Sequence, residues 1–508
     1  MVVRVNTAGI SGIEGMRVVC ECDLSPGIAR FDIVGLPDAS VKESQDRVRS
    51  AVKNSGFDYP LRRITVNLAP ADLKKEGPVY DLAVLVGIMA CSGQVRVPED
   101  DCAFIGELSL TGQVRPVSGV LPMVLACCEK GINKIFLPWE NASEASFASG
   151  AEIYPLKDVK SLISHLNGQR AISPVPPRPF VPTRGTFPDF KYVMGQKSVK
   201  RALEIAAAGG HNILMIGPPG SGKSMMAKCL PSILPDLTEK EALETTKLYS
   251  VAGLLTPENP IVTCRPFRSP HHTISSAGMS GGGRLPRPGE ISLAHNGVLF
   301  LDELPEFSKD SLEALRQPLE DGIITISRVS GSHSYPSEIM LVCAMNPCKC
   351  GYYGQPGNRC TCTERSVRQY MSRISGPLLD RIDIHINVPA VDYKSLSLRK
   401  EEECSADILK RVEKARRVQL ERYKNDGITC NARLKPSMMA ACCTPTEKGK
   451  ALLSAAFDTL GLTARSYDRL LKISRTIADL CGDEQIDARH IAEAVQLRSL
   501  DRENYFGR

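Results

Sequence analysis

The sequence predicts an α/β protein in which a parallel sheet carries a phosphate-binding loop. In the segment 211–230, HNILMIGPPGSGKSMMAKCL, an apolar strand, a glycine-rich loop and a helix follow one another. A second apolar strand, 297–301, ends in two acidic residues. The expected parts are an α/β domain over 1–168, a proline-rich linker over 169–188, the phosphate-binding core over 189–392 and a helical domain over 393–508.

Composition is that of an ordinary globular protein. The chain has 508 residues, 43% hydrophobic and 24% charged, with a net charge of +6 that does not by itself indicate nucleic-acid binding. The longest apolar run, 82–91, is too short to cross a bilayer, and the N-terminus lacks a signal-peptide pattern. Eighteen cysteines without such a signal indicate reduced thiols. We therefore expect a cytoplasmic protein without a membrane partner.

The first 168 residues alternate two kinds of segment, as α/β domains do. The strand-like segments are 16–22, 63–68 and 134–137, and the helix-like segments are 40–55, 82–91 and 121–130. This part of the chain carries no phosphate-binding loop.

The glycine-rich loop is predicted to bind the phosphates of ATP. Its residues are Gly217, Pro218, Pro219, Gly220, Ser221, Gly222, Lys223 and Ser224. Glycines let backbone N–H groups curve around an anion, and the helix start that follows favours negative charge. Lys223 is expected to reach the β- and γ-phosphates and Ser224 to hold Mg²⁺. The flanking strand and helix distinguish this loop from a structural turn.

Acidic and amide side chains at two further strand ends complete the expected site. Asp302 can bind Mg²⁺, and Glu303 can polarise the attacking water; the alternative is a solvated strand end. Asn346 ends the apolar strand 339–345 and is positioned to sense the γ-phosphate. Arg381 and Arg465 follow these residues along the chain. Arginine suits the stabilisation of phosphate charge because its planar side chain is always protonated. Either arginine alone is more typical of a surface ion pair.

The N-terminal part resembles a Lon-protease-type domain. The resemblance lies in the segments RITVNLAPADLKKEGPVYDLAVLVGIMA and GELSLTGQVRPVSGVLPMVLACCEKGINKIFLPWEN. In that family a serine directly after Gly-Pro and a lysine soon after Gly-Gly perform the cleavage. Val79 follows Gly77-Pro78 at the first position, and the second corresponds approximately to Leu121, after Gly119-Val120; neither residue can act as nucleophile or base. We expect the fold without the protease chemistry.

Nearly the whole chain resembles the Mg-chelatase-like AAA+ ATPases of the YifB/ComM type. The resemblance rests on GLLTPENPIVTCRPFRSPHHTISSAGMSGGGRLPRPGEISLAHNGVLFLDELPEF, the loop before it and the Lon-like domain. It implies a helical lid, assembly into a homo-hexameric ring and, for the ComM members, ATP-driven migration of branched DNA with recombination proteins. It also implies the roles of Walker A for Lys223 and Ser224, Walker B for Asp302 and Glu303, sensor 1 for Asn346, arginine finger for Arg381 and sensor 2 for Arg465.

A hairpin is predicted at 322–336, with Ser330-Gly331 at its turn. In the related helicase clade a hairpin at this place points into the ring channel, so Arg328, Ser332 and His333 are candidate contacts to branched or single-stranded DNA. The alternative is a hairpin that only packs. The glycine-rich segment 280–284 is a second candidate loop, or a simple connection.

Four cysteines, Cys348, Cys350, Cys360 and Cys362, form two close pairs that can wrap a tetrahedral Zn²⁺. Reduced loop cysteines are the alternative, because CxC pairs are less diagnostic than CxxC. The pair His271-His272 is more typical of loop structure than of a metal site.

Three functions are compatible with these patterns. They are a DNA motor, a protein-remodelling or metal-insertion ATPase, and a nucleotide-switched scaffold. The complete set of Walker and arginine positions argues against the scaffold, and a response of ATP hydrolysis to branched DNA would separate the other two.

Overall fold

The computed structural model describes residues 2–72, 74–283, 287–328, 331–354, 359–390, 402–460 and 463–498. Within them the chain forms two α/β units. The first consists of Met1–Val181, Glu239–Thr263 and Ser327–Tyr335, and the second of Pro182–Thr238, Cys264–Ile326 and Pro336–Arg508. Each unit therefore combines segments that are distant in sequence.

The first unit is built on a mixed seven-stranded sheet of order β3-β4-β2-β1-β5-β8-β9. The strands up to this point in the chain are β1 (Val2–Ser11), β2 (Glu14–Ser25), β3 (Arg30–Val34), β4 (Arg63–Ala69), β5 (Cys102–Phe104), β6 (Glu107–Leu108), β7 (Val114–Arg115), β8 (Lys134–Pro138) and β9 (Glu152–Leu156). β1 pairs antiparallel with β2 along its whole length and parallel with β5. The predicted strands at 16–22, 63–68 and 134–137 are confirmed.

The helices before the linker cover this sheet. They are α1 (Ala39–Lys42), α2 (Ser44–Asn54), α3 (Asp81–Cys91), α4 (Val120–Cys128), α5 (Ala142–Ala145) and α6 (Val159–Leu166). Helices α3 and α4 pack against β1 and β2. Every residue of α3 from Asp81 to Ala90 is buried, and Arg47 Nε lies 2.6 Å from the Asp81 carboxylate and balances its charge. The predicted helix over 40–55 is interrupted at Glu43.

The second unit contains a five-stranded sheet of order β11-β14-β17-β10-β18, in which all neighbours are parallel. The remaining strands are β10 (Ile213–Ile216), β11 (Phe267–Arg268), β12 (Gly281–Gly282), β13 (Arg287–Pro288), β14 (Val298–Leu301), β15 (Ile323–Arg328), β16 (Gly331–Pro336), β17 (Met340–Met345) and β18 (Ile384–Asn387). β10 lies between β17 and β18. The predicted parallel sheet is confirmed, and β15 and β16 pair as the predicted hairpin.

Helices from the linker onward belong to both units. They are α7 (Lys197–Gly209), α8 (Lys223–Cys229), α9 (Glu239–Ala252), α10 (Ser276–Ser280), α11 (Glu290–Leu293), α12 (Lys309–Glu313), α13 (Arg316–Asp321), α14 (Glu364–Met371), α15 (Gly376–Leu379), α16 (Ser405–Arg422), α17 (Pro436–Cys442), α18 (Glu447–Leu460), α19 (Ala464–Cys481) and α20 (Ala488–Gln496). In the second unit α16 and α19 pack against α7. None of the helices in the described ranges combines the length and the apolar character that a membrane span requires.

Helix α9 belongs to the first unit, where it packs against α4. The buried Glu144 carboxylate accepts hydrogen bonds from Leu121 N at 2.9 Å and from the Ser250 hydroxyl. Gly119 N donates to Ser250 O at 3.0 Å. These bonds satisfy a carboxylate that burial would otherwise make costly.

The last described helix is shorter than the periodicity predicted. The apolar pattern extends from 488 to 500, but α20 ends at Gln496. His385 N donates to Leu497 O at 2.8 Å, so the backbone leaves the helix to lie beside β18. A tertiary hydrogen bond here replaces another helical turn.

Candidate active site

The glycine-rich loop connects β10, an interior strand of the parallel sheet, to helix α8, as predicted. Gly220 and Gly222 have φ values of +74° and +87°, a region in which side chains are strained. At Gly217 a Cβ atom would lie 2.3 Å from Val388 O, so the backbone there tolerates only glycine. The loop geometry therefore requires its glycines.

The Lys223 ammonium group lies inside the curve of this loop. Its Nζ donates to Gly217 O at 2.8 Å and to Pro218 O at 2.9 Å. It also donates to Asn346 Oδ1 at 3.2 Å, which brings the predicted sensor residue to the lysine. Burial lowers the pKa of Lys223, and the charge of Asp302 opposes that effect. The buried amine is thus held by polar partners where phosphate charge is expected.

The two predicted Mg²⁺ ligands contact each other. Ser224 Oγ donates to Asp302 Oδ2 at 2.6 Å, which joins the start of α8 to the end of β14. A hydroxyl and a carboxylate are oxygen donors of the kind that Mg²⁺ prefers, and one or two protein ligands suffice when phosphates supply others. These residues therefore fit a nucleotide-bound Mg²⁺.

Glu303 projects from a strained turn directly after β14. Its φ is +53°, which is uncommon for a residue other than glycine. Its N–H donates to Asp302 Oδ1 at 3.0 Å, and its side chain is exposed. His272 Nδ1 lies 3.6 Å from Glu303 Oε2. The sequence pattern favours loop structure for the histidine pair and does not indicate this contact, because no spacing rule connects residues 272 and 303.

The predicted finger and sensor 2 arginines lie around one carboxylate, Glu320. The Arg381 guanidinium group binds Glu320 and donates to Pro377 O at 2.7 Å. Arg381 lowers the pKa of Glu320, and Arg465 and Arg316 add to that shift. Arg465 is exposed in the first turn of α19. Glu320 itself carried no signal in the sequence.

The four predicted cysteines converge. Their sulfur atoms all lie within 4.8 Å of one another. Cys348 Sγ is 3.3 Å from Cys350 Sγ and 3.8 Å from Cys360 Sγ, and the sulfurs of Cys350 and Cys360 are 3.6 Å apart.

The predicted DNA-contacting residues lie on the hairpin. Ser332 is exposed, and its Oγ lies 3.2 Å from Ser327 Oγ across the two strands. His333 is half-buried near the turn between β1 and β2, since a Cβ atom on Gly12 would lie 3.4 Å from its Nδ1. The side chain of Arg328 lies outside the described residues, as does Arg284 of the candidate loop at 280–284.

In the first unit, Val79 and Leu121 are buried hydrophobic residues. Both belong to the core, so these positions are used for packing. Neither side chain supplies a hydroxyl or an amine to a cleavage reaction.

A parallel sheet in which an interior strand leads into this loop, with a buried lysine, a serine–aspartate pair and a following glutamate, defines a P-loop ATPase fold. Three family descriptions match consecutive parts of the chain: "Magnesium chelatase, subunit ChlI" at residues 189–396, "Subunit ChlI of Mg-chelatase" at 20–141, and "Magnesium chelatase, subunit ChlI C-terminal" at 402–498. The chain belongs to the Mg-chelatase-like ComM/YifB family of AAA+ proteins. Membership of this family suggests ATPase activity with ATP and Mg²⁺.

Two of the relatives match along almost the full chain, and a third matches a shorter part of it. The competence protein ComM of Haemophilus influenzae is 44% identical over 500 residues, covering 97% of this chain and 96% of ComM. The YifB protein of Escherichia coli is 41% identical, covering 98% of this chain and 97% of YifB. The Lon protease of Brucella suis is 28% identical over 165 residues, covering 30% of this chain and 20% of the protease.

Proposed function

We propose that this protein is an ATP-driven, ring-forming DNA motor that migrates branched DNA during recombination or natural transformation. The observation that carries the proposal is the convergence of Lys223, Ser224, Asp302 and Asn346 at the glycine-rich loop. The similarity to the competence protein ComM supports the link to natural transformation.

Hydrolysis follows from the placement of these side chains. Ser224 and Asp302 would hold the Mg²⁺ that accompanies ATP, and this ion would neutralise phosphate charge. Lys223 stabilises the β- and γ-phosphates, and Glu303 orients the attacking water and takes its proton. Asn346, within reach of Lys223, senses the γ-phosphate and keeps the lysine aligned.

The remaining parts convert hydrolysis into movement. The chain assembles as a homo-hexamer, Arg381 acts on the ATP of a neighbouring subunit, and the helical lid over 393–508 carries Arg465. The hairpin residues Arg328, Ser332 and His333 contact the backbone of branched or single-stranded DNA.

Other features complete the proposal. The 1–168 domain keeps a Lon-type fold without protease activity, consistent with the buried Val79 and Leu121. The core spans 189–392 after the 169–188 linker. Cofactors are ATP and Mg²⁺, together with a structural zinc ion at the four cysteines. Recombination proteins are the expected partners, and the location is cytoplasmic.

A second candidate is a protein-remodelling or metal-insertion ATPase. It is favoured by one observation, namely that all three matching family descriptions refer to a magnesium chelatase subunit. The same ATP site would serve it, but DNA would not stimulate hydrolysis.

Stimulation of ATPase activity by DNA tests the proposal. Full-length protein is assayed with duplex, single-stranded and four-way branched DNA at several salt concentrations. We expect branched or single-stranded DNA to accelerate hydrolysis more than duplex, independent of sequence and less at high salt, because contacts to phosphates are screened. An assembled ring whose ATPase rate ignores every DNA would overturn the DNA motor.

Substitutions in the hairpin test whether it contacts DNA. The double variant Arg328→Ala/His333→Ala should lose DNA stimulation and branch movement while basal hydrolysis remains, since the ATP site is unchanged. Thr325→Ala, an exposed position on β15 of the same hairpin, is the control. If the double variant is stimulated like the wild type, the hairpin does not contact DNA.

A further inference from the structure

The segment after β17 joins the cysteine cluster to the ATP site. It begins at Asn346, whose Oδ1 accepts from Lys223 Nζ at 3.2 Å, and reaches Cys348 two residues later. Cys348 is fully buried, whereas the other three cysteines are partly exposed. The cluster therefore lies at the edge of the catalytic centre and remains open to exchange with solvent.

The sulfur positions match a tetrahedral metal site. Four thiolates bound to Zn²⁺ at about 2.3 Å are separated from one another by about 3.8 Å. The three separations among the sulfurs of Cys348, Cys350 and Cys360, 3.3, 3.6 and 3.8 Å, lie close to that edge length, and the Cys362 sulfur lies within 4.8 Å of each of them. Cysteines from two short segments, 348–350 and 360–362, meet here without a disulfide.

Backbone N–H groups also point at the sulfur atoms of the first cysteine pair. Tyr353 N donates to Cys348 Sγ at 3.3 Å. Backbone N–H groups of Tyr352 and Thr361 bond to the Cys350 sulfur.

The second cysteine pair shows the same pattern. The N–H of Cys362 bonds to the Cys360 sulfur, and the N–H of Cys350 bonds to the Cys362 sulfur. Every sulfur of the cluster thus has an N–H donor directed at it, and such hydrogen bonds orient metal ligands.

The segment 346–351 also packs closely against the phosphate-binding loop. Gly351 has a φ of +88°, and a Cβ atom on it would lie 2.5 Å from Pro219 Cδ. The segment 346–351 is thus held at Lys223 by one end and against Pro219 by the other. Cys348 and Cys350 stand between those two contacts.

We infer that Cys348, Cys350, Cys360 and Cys362 bind one Zn²⁺. We also infer that this zinc centre keeps Asn346 and the phosphate-binding loop in fixed positions relative to each other. Zinc fixes the segment from which Asn346 and Gly351 project, so its loss weakens ATP binding and slows hydrolysis. The effect on hydrolysis rests on the proposed ATPase function, whereas zinc binding and ATP affinity are measured without it.

Metal content tests the centre itself. Full-length protein purified without chelators should contain about one Zn²⁺ per chain. Cys360→Ser and Cys362→Ser should lose it, and Cys404→Ser, whose thiol bonds to Asp407 instead, should keep it. Cobalt exchange should give the thiolate charge-transfer and visible bands of tetrahedral Co²⁺. Absence of metal, or iron in place of zinc, would overturn the assignment even if a variant misfolds, because the wild type is measured.

The coupling is tested by a variant that keeps all four ligands. Gly351→Ala should retain zinc but bind a fluorescent ATP analogue about tenfold more weakly, because the new methyl group displaces Pro219. Gly427→Ala is the matched control: its φ is +70°, but no atom lies within 4 Å of the added Cβ.

Two results would refute the coupling. One is unchanged ATP affinity in zinc-loaded Gly351→Ala. The other is unchanged ATP affinity and kcat in folded Cys362→Ser that has lost zinc. If ATP binds but no variant or wild-type protein hydrolyses it, the proposed function fails while the zinc result stands.

Discussion

At the residue scale, substitutions of Glu303 and Lys223 are expected to impair ATP binding and hydrolysis in different ways. Glu303→Gln keeps the phosphate contacts but cannot take a proton from water, so it should bind ATP and hydrolyse it at least about 10²-fold more slowly. Lys223→Ala removes the buried charge at the loop and should lose both binding and turnover. Equilibrium binding of an ATP analogue and steady-state phosphate release distinguish the two.

Glu306→Gln is the control for this pair. Glu306 is a nearby acid that pairs with Arg373 at 3.0 Å, so its substitution should leave hydrolysis intact. If Glu303→Gln hydrolysed ATP at the wild-type rate, the Glu303 carboxylate would not have the catalytic role assigned to it.

His272 is predicted to orient the Glu303 carboxylate. Its Nδ1 lies 3.6 Å from Glu303 Oε2, close enough to restrict a side chain that is otherwise exposed. His272→Ala should lower kcat roughly three- to tenfold with ATP binding unchanged, less than the loss of the catalytic group itself. His271→Ala is the matched control, since His271 bonds to Thr273. Equal rates for both variants and the wild type would show that His272 does not position Glu303.

At the element scale, local patterns predicted the strand and the helix that precede the glycine-rich loop. The strand 213–216 and the helix beginning at 197 are confirmed, because apolar periodicity and glycine-rich loops act over short distances. The partners across space were not predictable. Glu320 beside Arg381 and His272 beside Glu303 come from other elements, and no local propensity encodes such a contact.

One buried ion pair links β18 to helix α19. Asp383 Oδ2 lies 3.3 Å from His211 Nδ1, and Asp383 Oδ1 lies 3.3 Å from Arg469 Nε. His211 Nε2 in turn lies 2.8 Å from Thr476 Oγ1. Burial alone would raise the pKa of Asp383, but the His211 hydrogen bond and the neighbouring positive charges lower it to about 2.

This pKa predicts a stability that depends on pH. Because the folded-state pKa lies below the ordinary value of 3.8, the ionised Asp383 stabilises the fold above about pH 4, and that contribution is lost as pH falls toward 2. Asp383→Asn should therefore lower the free energy of unfolding by about 2 kcal/mol at pH 7 and by less near pH 3. Urea unfolding followed by circular dichroism measures it, with the exposed Asp426→Asn as control. If Asp383→Asn lowered the free energy of unfolding by the same amount at pH 7 and near pH 3, the result would contradict this explanation.

At the scale of the whole molecule, the order of segments in the sequence did not indicate which segments fold into the same unit. Residues 239–263 follow the P-loop helix in the chain, yet they fold with the first unit, as does the hairpin segment 327–335. Amphipathic patterns show that α9 has an apolar face but not which surface covers it. The bonds of Glu144 to Leu121 and Ser250 depend on that long-range choice.

The finger assignment predicts cooperation between subunits. Arg381→Ala should bind ATP, since Arg381 contacts Glu320 and Pro377 rather than the phosphate loop, but should not hydrolyse it. Lys223→Ala should bind no ATP. Neither variant ring alone contains a complete site if the arginine acts across the interface.

Mixing the two variants tests this directly. In randomly mixed rings, about a quarter of the sites combine an intact Lys223 with an intact Arg381 from the neighbour, so a comparable fraction of activity should return. Co-purification of differently tagged chains establishes that mixed rings form, and phosphate release measures the recovery. If Arg381 acted within its own subunit, every site would lack one of the two residues, and mixed rings would stay inactive at all ratios.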